Sequence, residues 1–138
     1  MSFWDGPDAP PPIDAAAVTP SVADVATLEI ARCQDANGND MGTFTGETFP
    51  TDTQVSALID AAVAEVLAQL APNCDVGFYP SIKQVVALRA AALTELSAFR
   101  VEVVGRRDAS GSYREADAVY RDALAALQAK IPIAHYVG

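Results

Sequence analysis

At 138 residues and a net charge of −9, the chain is one domain's worth of sequence, long enough to bury about two thirds of its unfolded surface. An isoelectric point near 4.3, with Arg106-Arg107 as the only basic pair, excludes a DNA reader that neutralises phosphates with clustered Lys and Arg. The longest run without a charged residue is nine positions, against the roughly 18 needed to span a bilayer, which excludes a transmembrane helix.

Residues 1–18 hold Phe3, Trp4, Ile13 and the prolines Pro7, Pro10, Pro11 and Pro12, a composition that favours an extended, polyproline-like arm. The same stretch is acidic and proline-rich where a secretory signal is basic and then apolar, so folding in the cytoplasm is expected. The first helix is expected over about 20–32, with Pro20 at its first position and Val22, Val25 and Ala26 pointing one way. Asn37-Gly38 then marks a hairpin-like turn inside a polar loop.

The second helix, about 52–71, is the best marked. Thr51 and Gln54 form a capping-box pattern, and Val55, Leu58, Ile59, Ala62, Val63, Val66, Leu67 and Leu70 recur at spacings of three and four before Pro72. Ser81 and Gln84 open a third helix, about 82–100, with Val85, Leu88, Ala92, Leu96 and Phe99 on one side. Residues 100–104 could form a brief extended piece. Ser112 and Glu115 open a fourth helix, about 113–130, carrying Val119, Tyr120, Ala123, Leu124 and Leu127 and stopped by Pro132. With 27 alanines and almost no β-branched alternation, the sum is an all-α, four-helix bundle-like body over 19–130. Beyond it, 131–138 form an apolar, β-prone tail that includes Ile131, Ile133, Tyr136 and Val137.

Catalytic chemistry is nearly absent from this pattern. His135 is the sole histidine, so Ser-His-Asp, Cys-His and multi-histidine metal sites lack members, and no catalytic, cofactor-binding or metal-ligating residue is expected. Cys33 and Cys74, far apart and without histidine company, read as reduced thiols. The run from Asp35 to Asp40 has oxygen ligands at alternate positions like a calcium loop. Its glycine, however, stands at position four in place of six, and Gly46 occupies the position of the bidentate glutamate, so a turn is expected. Carboxylates such as Asp117 and Asp122 are expected on a solvated helix face.

Charge is uneven. Residues 1–80 hold twelve acidic groups and one basic, giving −11, and 81–138 hold six acidic and eight basic, giving +2. That asymmetry fits either a solvated acidic surface or a subunit that packs head to tail beside its own copies. The aromatic-bearing arms at the two ends suggest anchors that dock into neighbours, with Phe3, Trp4 and Ile13 at one end and Ile131, Ile133, Tyr136 and Val137 at the other. The 41–49 loop, with Met41, Phe44 and Phe49, is expected to project from the body as a third contact element, and Arg106 and Arg107 as a basic one.

The order of parts resembles the head-to-tail connector (adaptor) proteins of tailed double-stranded DNA bacteriophages, particularly those of actinobacterial hosts. The resemblance spans 20–130 and rests on the helix from Pro20, the loop DANGNDMGTFTGETFPT, and the helices TDTQVSALIDAAVAEVLAQL, QVVALRAAALTELSAF and YREADAVYRDALAALQAK. It implies a homo-oligomeric ring, commonly of twelve subunits, seated in the virion neck between the portal protein and the head-closure or stopper protein and assembled in the host cytoplasm. Such a ring extends the channel through which duplex DNA leaves without specific binding, and it needs no cofactor, membrane or enzymatic activity. An acidic lumen would suit that passage, since it repels phosphate. A small cytoplasmic helical binding or dimerisation module, unrelated to virions, is the alternative that the same capping boxes and amphipathic stripes allow.

Overall fold

The computed structural model describes residues 10–102 and 109–131. Among them the fold is all-α and bundle-like, with four helices: α1 (Val22–Leu28), α2 (Asp52–Ala68), α3 (Tyr79–Glu102) and α4 (Ala109–Lys130). Three short 3-10 turns accompany them, Ala16–Val18 ahead of α1, Ile30–Arg32 after it and Val76–Phe78 before α3.

The central element is α3, against which α1, α2 and α4 all pack. The reason lies in its composition. Ile82, Val85, Val86, Ala87, Ala90, Ala91, Ala92 and Ala98 are all buried, so the helix is apolar around most of its circumference and must be covered on several sides. Its alanines let neighbouring helix axes approach closely.

The α2 helix follows the sequence closely. Thr51 Oγ1 accepts from the Gln54 N–H at 3.2 Å while Gln54 Oε1 accepts from the Thr51 N–H at 2.9 Å, the full capping box. Val55, Ile59, Ala62, Val63 and Val66 are the buried stripe, with Leu67 and Leu70 half-buried at its margin. The helix ends at Ala68, three residues before the expected bound.

Other boundaries differ from the sequence reading. The cap of α1 is Ser21, whose side chain and that of Asp24 bond reciprocally to each other's backbone N–H; Pro20 therefore precedes the cap in place of occupying the first turn. α1 closes at Leu28 and tightens into the Ile30–Arg32 turn. α3 starts at Tyr79, so Ser81 lies inside its first turn, and the chain enters it through a 3-10 turn capped by Asp75. α4 likewise starts before Ser112. Arg100 and Glu102 are helical where an extended piece was expected, because α3 continues through them; residues 103 and 104 lie outside the described residues.

In the loop, Gly38 adopts φ +81°, a conformation that favours glycine, and a single antiparallel bridge pairs Gln34 with Asp40. Asp35 Oδ1 accepts the N–H groups of Asn37 and Asn39, each at 2.9 Å. These bonds, that of Asn39 foremost, hold the Asp35 carboxyl below its ordinary value. The calcium-like run is therefore a turn whose carboxylate serves its own backbone.

Candidate interaction surface

The twelve residues singled out as contact elements separate into four groups. Phe3, Trp4, Arg106, Arg107, Ile133, Tyr136 and Val137 lie outside the described residues. Phe49 is exposed, at 57%. Met41 and Ile13 are half-buried, and Phe44 and Ile131 are core residues, 3% and 4% exposed.

Phe44 corrects the expectation for the 41–49 loop. Its ring packs with Val18, Val25, Val55 and their neighbours, because an aromatic side chain gains more free energy from burial than any polar loop residue beside it. Thr48 follows it inward. Its fully buried hydroxyl donates to the Pro50 carbonyl at 2.7 Å and accepts the Thr45 N–H at 2.9 Å, which satisfies the polar group that burial would otherwise penalise. What the loop offers outward is Phe49, one residue before Pro50.

Ile131 corrects the other boundary. Its N–H donates to the Leu127 carbonyl at 3.0 Å and its side chain joins the core cluster, so the apolar run meant for docking begins inside the body.

The arm is also shorter than expected. Ile13 N–H donates to the Pro72 carbonyl at 3.0 Å, Cys74 N–H to Pro11 at 3.2 Å, and Asn73 Nδ2 to Pro10 at 3.1 Å. Val18 is fully buried. Residues 10–18 thus pack against the connection between α2 and α3, where the extended backbone of the proline run leaves carbonyls free to accept.

Among the described residues, the exposed large apolar side chains are Leu28 and Ile30 at the end of α1, Phe49 in the loop, Val76 in the turn before α3, and Val119 on α4, between 40% and 59% exposed. They sit at four separate places in the fold. An open groove of about 620 Å³ runs between α1, the loop and α2, lined by Val22, Phe44 and Ala57 together with the exposed carboxylates of Asp52 and Asp60. A smaller hollow of about 400 Å³, between Gln69, Leu70, Gln128 and Ile131, opens where α4 ends.

Two charged clusters escape a reading by periodicity. Arg89 of α3 donates through NH2 to Glu65 Oε1 of α2 at 3.2 Å and through NH1 to Asp117 Oδ1 of α4 at 3.1 Å, and its guanidinium lies 5.2 Å from the centre of the Tyr120 ring. Asp117 Oδ2 also takes Arg121 Nε at 2.8 Å. Asp117 is therefore mostly buried in an ion-pair network, against the expectation of a solvated face, while Asp122 is exposed as expected. The second cluster joins Glu95 of α3, 9% exposed, to Arg32 at 2.5 Å, beside Glu29. The signal for both was a charge set within a mostly apolar helix, which requires a partner where the helix is covered by its neighbours.

Cys33 and Cys74 are free and buried. Burial pushes both thiols up, which keeps them protonated and unreactive. Among the described residues no helix is long and apolar enough to cross a membrane, and no three His, Cys, Asp or Glu side chains gather as a metal site. No family model, curated protein or solved structure matches the chain.

Proposed function

We propose that this protein is a structural virion subunit, an adaptor that assembles with copies of itself into a ring between a phage portal and the head-closure ring and extends the DNA channel. The observation that carries the proposal is the spread of exposed apolar side chains over the end of α1, the loop, the turn before α3 and α4. A ring subunit meets a neighbour on each side and a ring above and below, so its contacts fall on several elements. A symmetric dimer needs one self-complementary patch. The order of elements supports the same reading: short helix, turn-bearing loop, capped helix, alanine-rich central helix and fourth helix are the parts on which the connector resemblance rests.

The exposed carboxylates of Asp52 and Asp60 fit a surface that duplex DNA passes without adhering. Residues 132–138 and 1–9, with Ile133, Tyr136, Phe3 and Trp4, supply candidate anchors to the portal and to an adjacent subunit or ring.

The test is mass measurement and negative-stain imaging of the protein with the portal of its own virus. Rings of about twelvefold symmetry on the portal are the expected result. A symmetric dimer that ignores the portal would overturn the proposal in favour of a cytoplasmic dimerisation module. Removal of residues 132–138 should leave the helical body folded, as judged by circular dichroism, and abolish attachment to the portal.

A further inference from the structure

The chain has three asparagines, Asn37, Asn39 and Asn73, and the fold treats them differently. Asn73 is half-buried, with its Nδ2 donating to the Pro10 carbonyl at 3.1 Å, and the buried Cys74 follows it. Asn39 donates through Nδ2 to Asp35 Oδ2 at 3.2 Å, and Asp40 follows it. Asn37 is exposed, its side-chain amide bonds to nothing among the described residues, and the next residue is Gly38. No atom beyond the chain neighbours of Gly38 comes within 4 Å of where a Cβ would stand, so the space beside the Asn37–Gly38 peptide is open. What holds this stretch is Asp35. Its carbonyl accepts the Gly38 N–H at 3.0 Å, and its Oδ1 accepts the N–H groups of Asn37 and Asn39, each at 2.9 Å.

We propose that Asn37 is a self-modification site that converts to aspartate and isoaspartate, and that the turn closed by Asp35 sets the rate. The chemistry is of the kind that makes asparagine thermolabile. Its nucleophile is the Gly38 main-chain nitrogen. Having lost its proton to water, that nitrogen attacks Cγ of Asn37; the N–Cγ bond forms, the bond from Cγ to the side-chain nitrogen breaks, and ammonia leaves with a proton returned by water. A second water then opens the cyclic imide at one of its two carbonyls. Breaking the bond from the Gly38 nitrogen to Cγ leaves aspartate, and breaking the original peptide bond leaves isoaspartate, whose main chain runs through Cβ and Cγ. Water is the only co-reactant. Glycine at 38 permits the close approach, since a Cβ there would crowd the closing ring. While the Asp35 carbonyl holds the Gly38 N–H, the nitrogen keeps its proton, so the reaction proceeds from the opened turn. Either product adds a carboxylate between Asp35 and Asp40, and isoaspartate also lengthens the main chain by a methylene. The Gln34–Asp40 bridge and the bond from the Met41 N–H to the Cys33 carbonyl, at 2.8 Å, then lose their register, which loosens the loop between the buried Cys33 and Phe44. This inference is independent of the adaptor reading.

Peptide mapping by mass spectrometry, on the intact protein aged for several weeks at neutral pH and physiological temperature, tests it. Exchange of NH2 for OH is expected at residue 37, with aspartyl and isoaspartyl peptides that separate by chromatography, while Asn39 and Asn73 stay unchanged. Asp35→Ala removes two acceptor bonds from the turn and should speed the reaction about 5- to 30-fold. Asn37→Gln, whose longer side chain must close a larger ring, should abolish it. Ageing of the parent protein serves even if a variant fails to fold. Asn37 left intact over a period in which the urea-unfolded chain reacts, or reaction at Asn39 or Asn73 at an equal rate, overturns the site. An Asp35→Ala rate equal to that of the parent overturns the control by Asp35.

Discussion

Arg89 shows how a single side chain fixes the arrangement of this bundle. Its guanidinium is mostly buried and engages Glu65 on α2, Asp117 on α4 and the Tyr120 ring, so one planar donor ties three helices together. The partners are unequal. The Glu65 side chain is 41% exposed and is screened by water, whereas Asp117 is 15% exposed and would keep only the pairing with Arg121, whose side chain is 76% exposed. Arg89→Leu is expected to cost about 3 kcal/mol in urea unfolding, and Glu65→Gln less than about 1 kcal/mol. Equal effects would mean that the network is held by its exposed arm. The presence of Arg89 and Glu95 as charges needing partners was legible in the sequence, because each interrupts an apolar helix. Which carboxyl group answers each charge was not, since Glu65 and Asp117 are 24 and 28 residues away and are joined only by packing.

At the scale of elements, α2 and α3 make an instructive pair. Both segments carry a hydroxyl residue followed three positions later by glutamine, yet only Thr51 caps a helix. At α3 the chain enters through the Val76–Phe78 turn, whose cap is Asp75 with its Oδ1 at 2.8 Å from the Gly77 N–H, so helical geometry is already established at Tyr79. Thr51→Ala should therefore lower stability by about 1 kcal/mol. Ser81→Ala should be neutral or stabilising by a few tenths of a kcal/mol, since alanine is the better helix former inside a turn. Paired thermal melts of the two variants check the assignment; a loss of similar size in both would restore Ser81 as the cap. Local hydrogen bonds to the backbone decide which of two similar motifs caps, and the decision lies in the residues upstream of the motif. For α1 the sequence contained the answer in Ser21 and Asp24, but Thr19-Pro20 offered a competing start that is equally compatible with the apolar spacing.

At the scale of the molecule, the division between core and surface separates two phenylalanines five residues apart in one loop. Phe44→Ala should cost about 3 to 5 kcal/mol, as a cavity left among Val18, Val25 and Val55 would, while Phe49→Ala should change the stability of the isolated chain by less than about 0.5 kcal/mol. If the adaptor proposal holds, Phe49→Ala should nonetheless weaken ring assembly, as measured by the fraction of portals carrying a ring. A Phe49 variant that destabilises the monomer as much as the Phe44 variant would place the ring inside the body. The amino-acid sequence by itself determined the four helices, the stripe of α2 and its capping box, and the turn at Gly38, since each depends on contacts within a few residues and leaves a period or a spacing that can be read. Only the tertiary structure decided that Phe44 and Ile131 fill the core, that residues 10–18 lie against the α2 to α3 connection, and that Arg32 meets Glu95. Those outcomes depend on which apolar surfaces compete for the sides of α3, and that competition is settled by shape and distance across the fold, which no local pattern encodes.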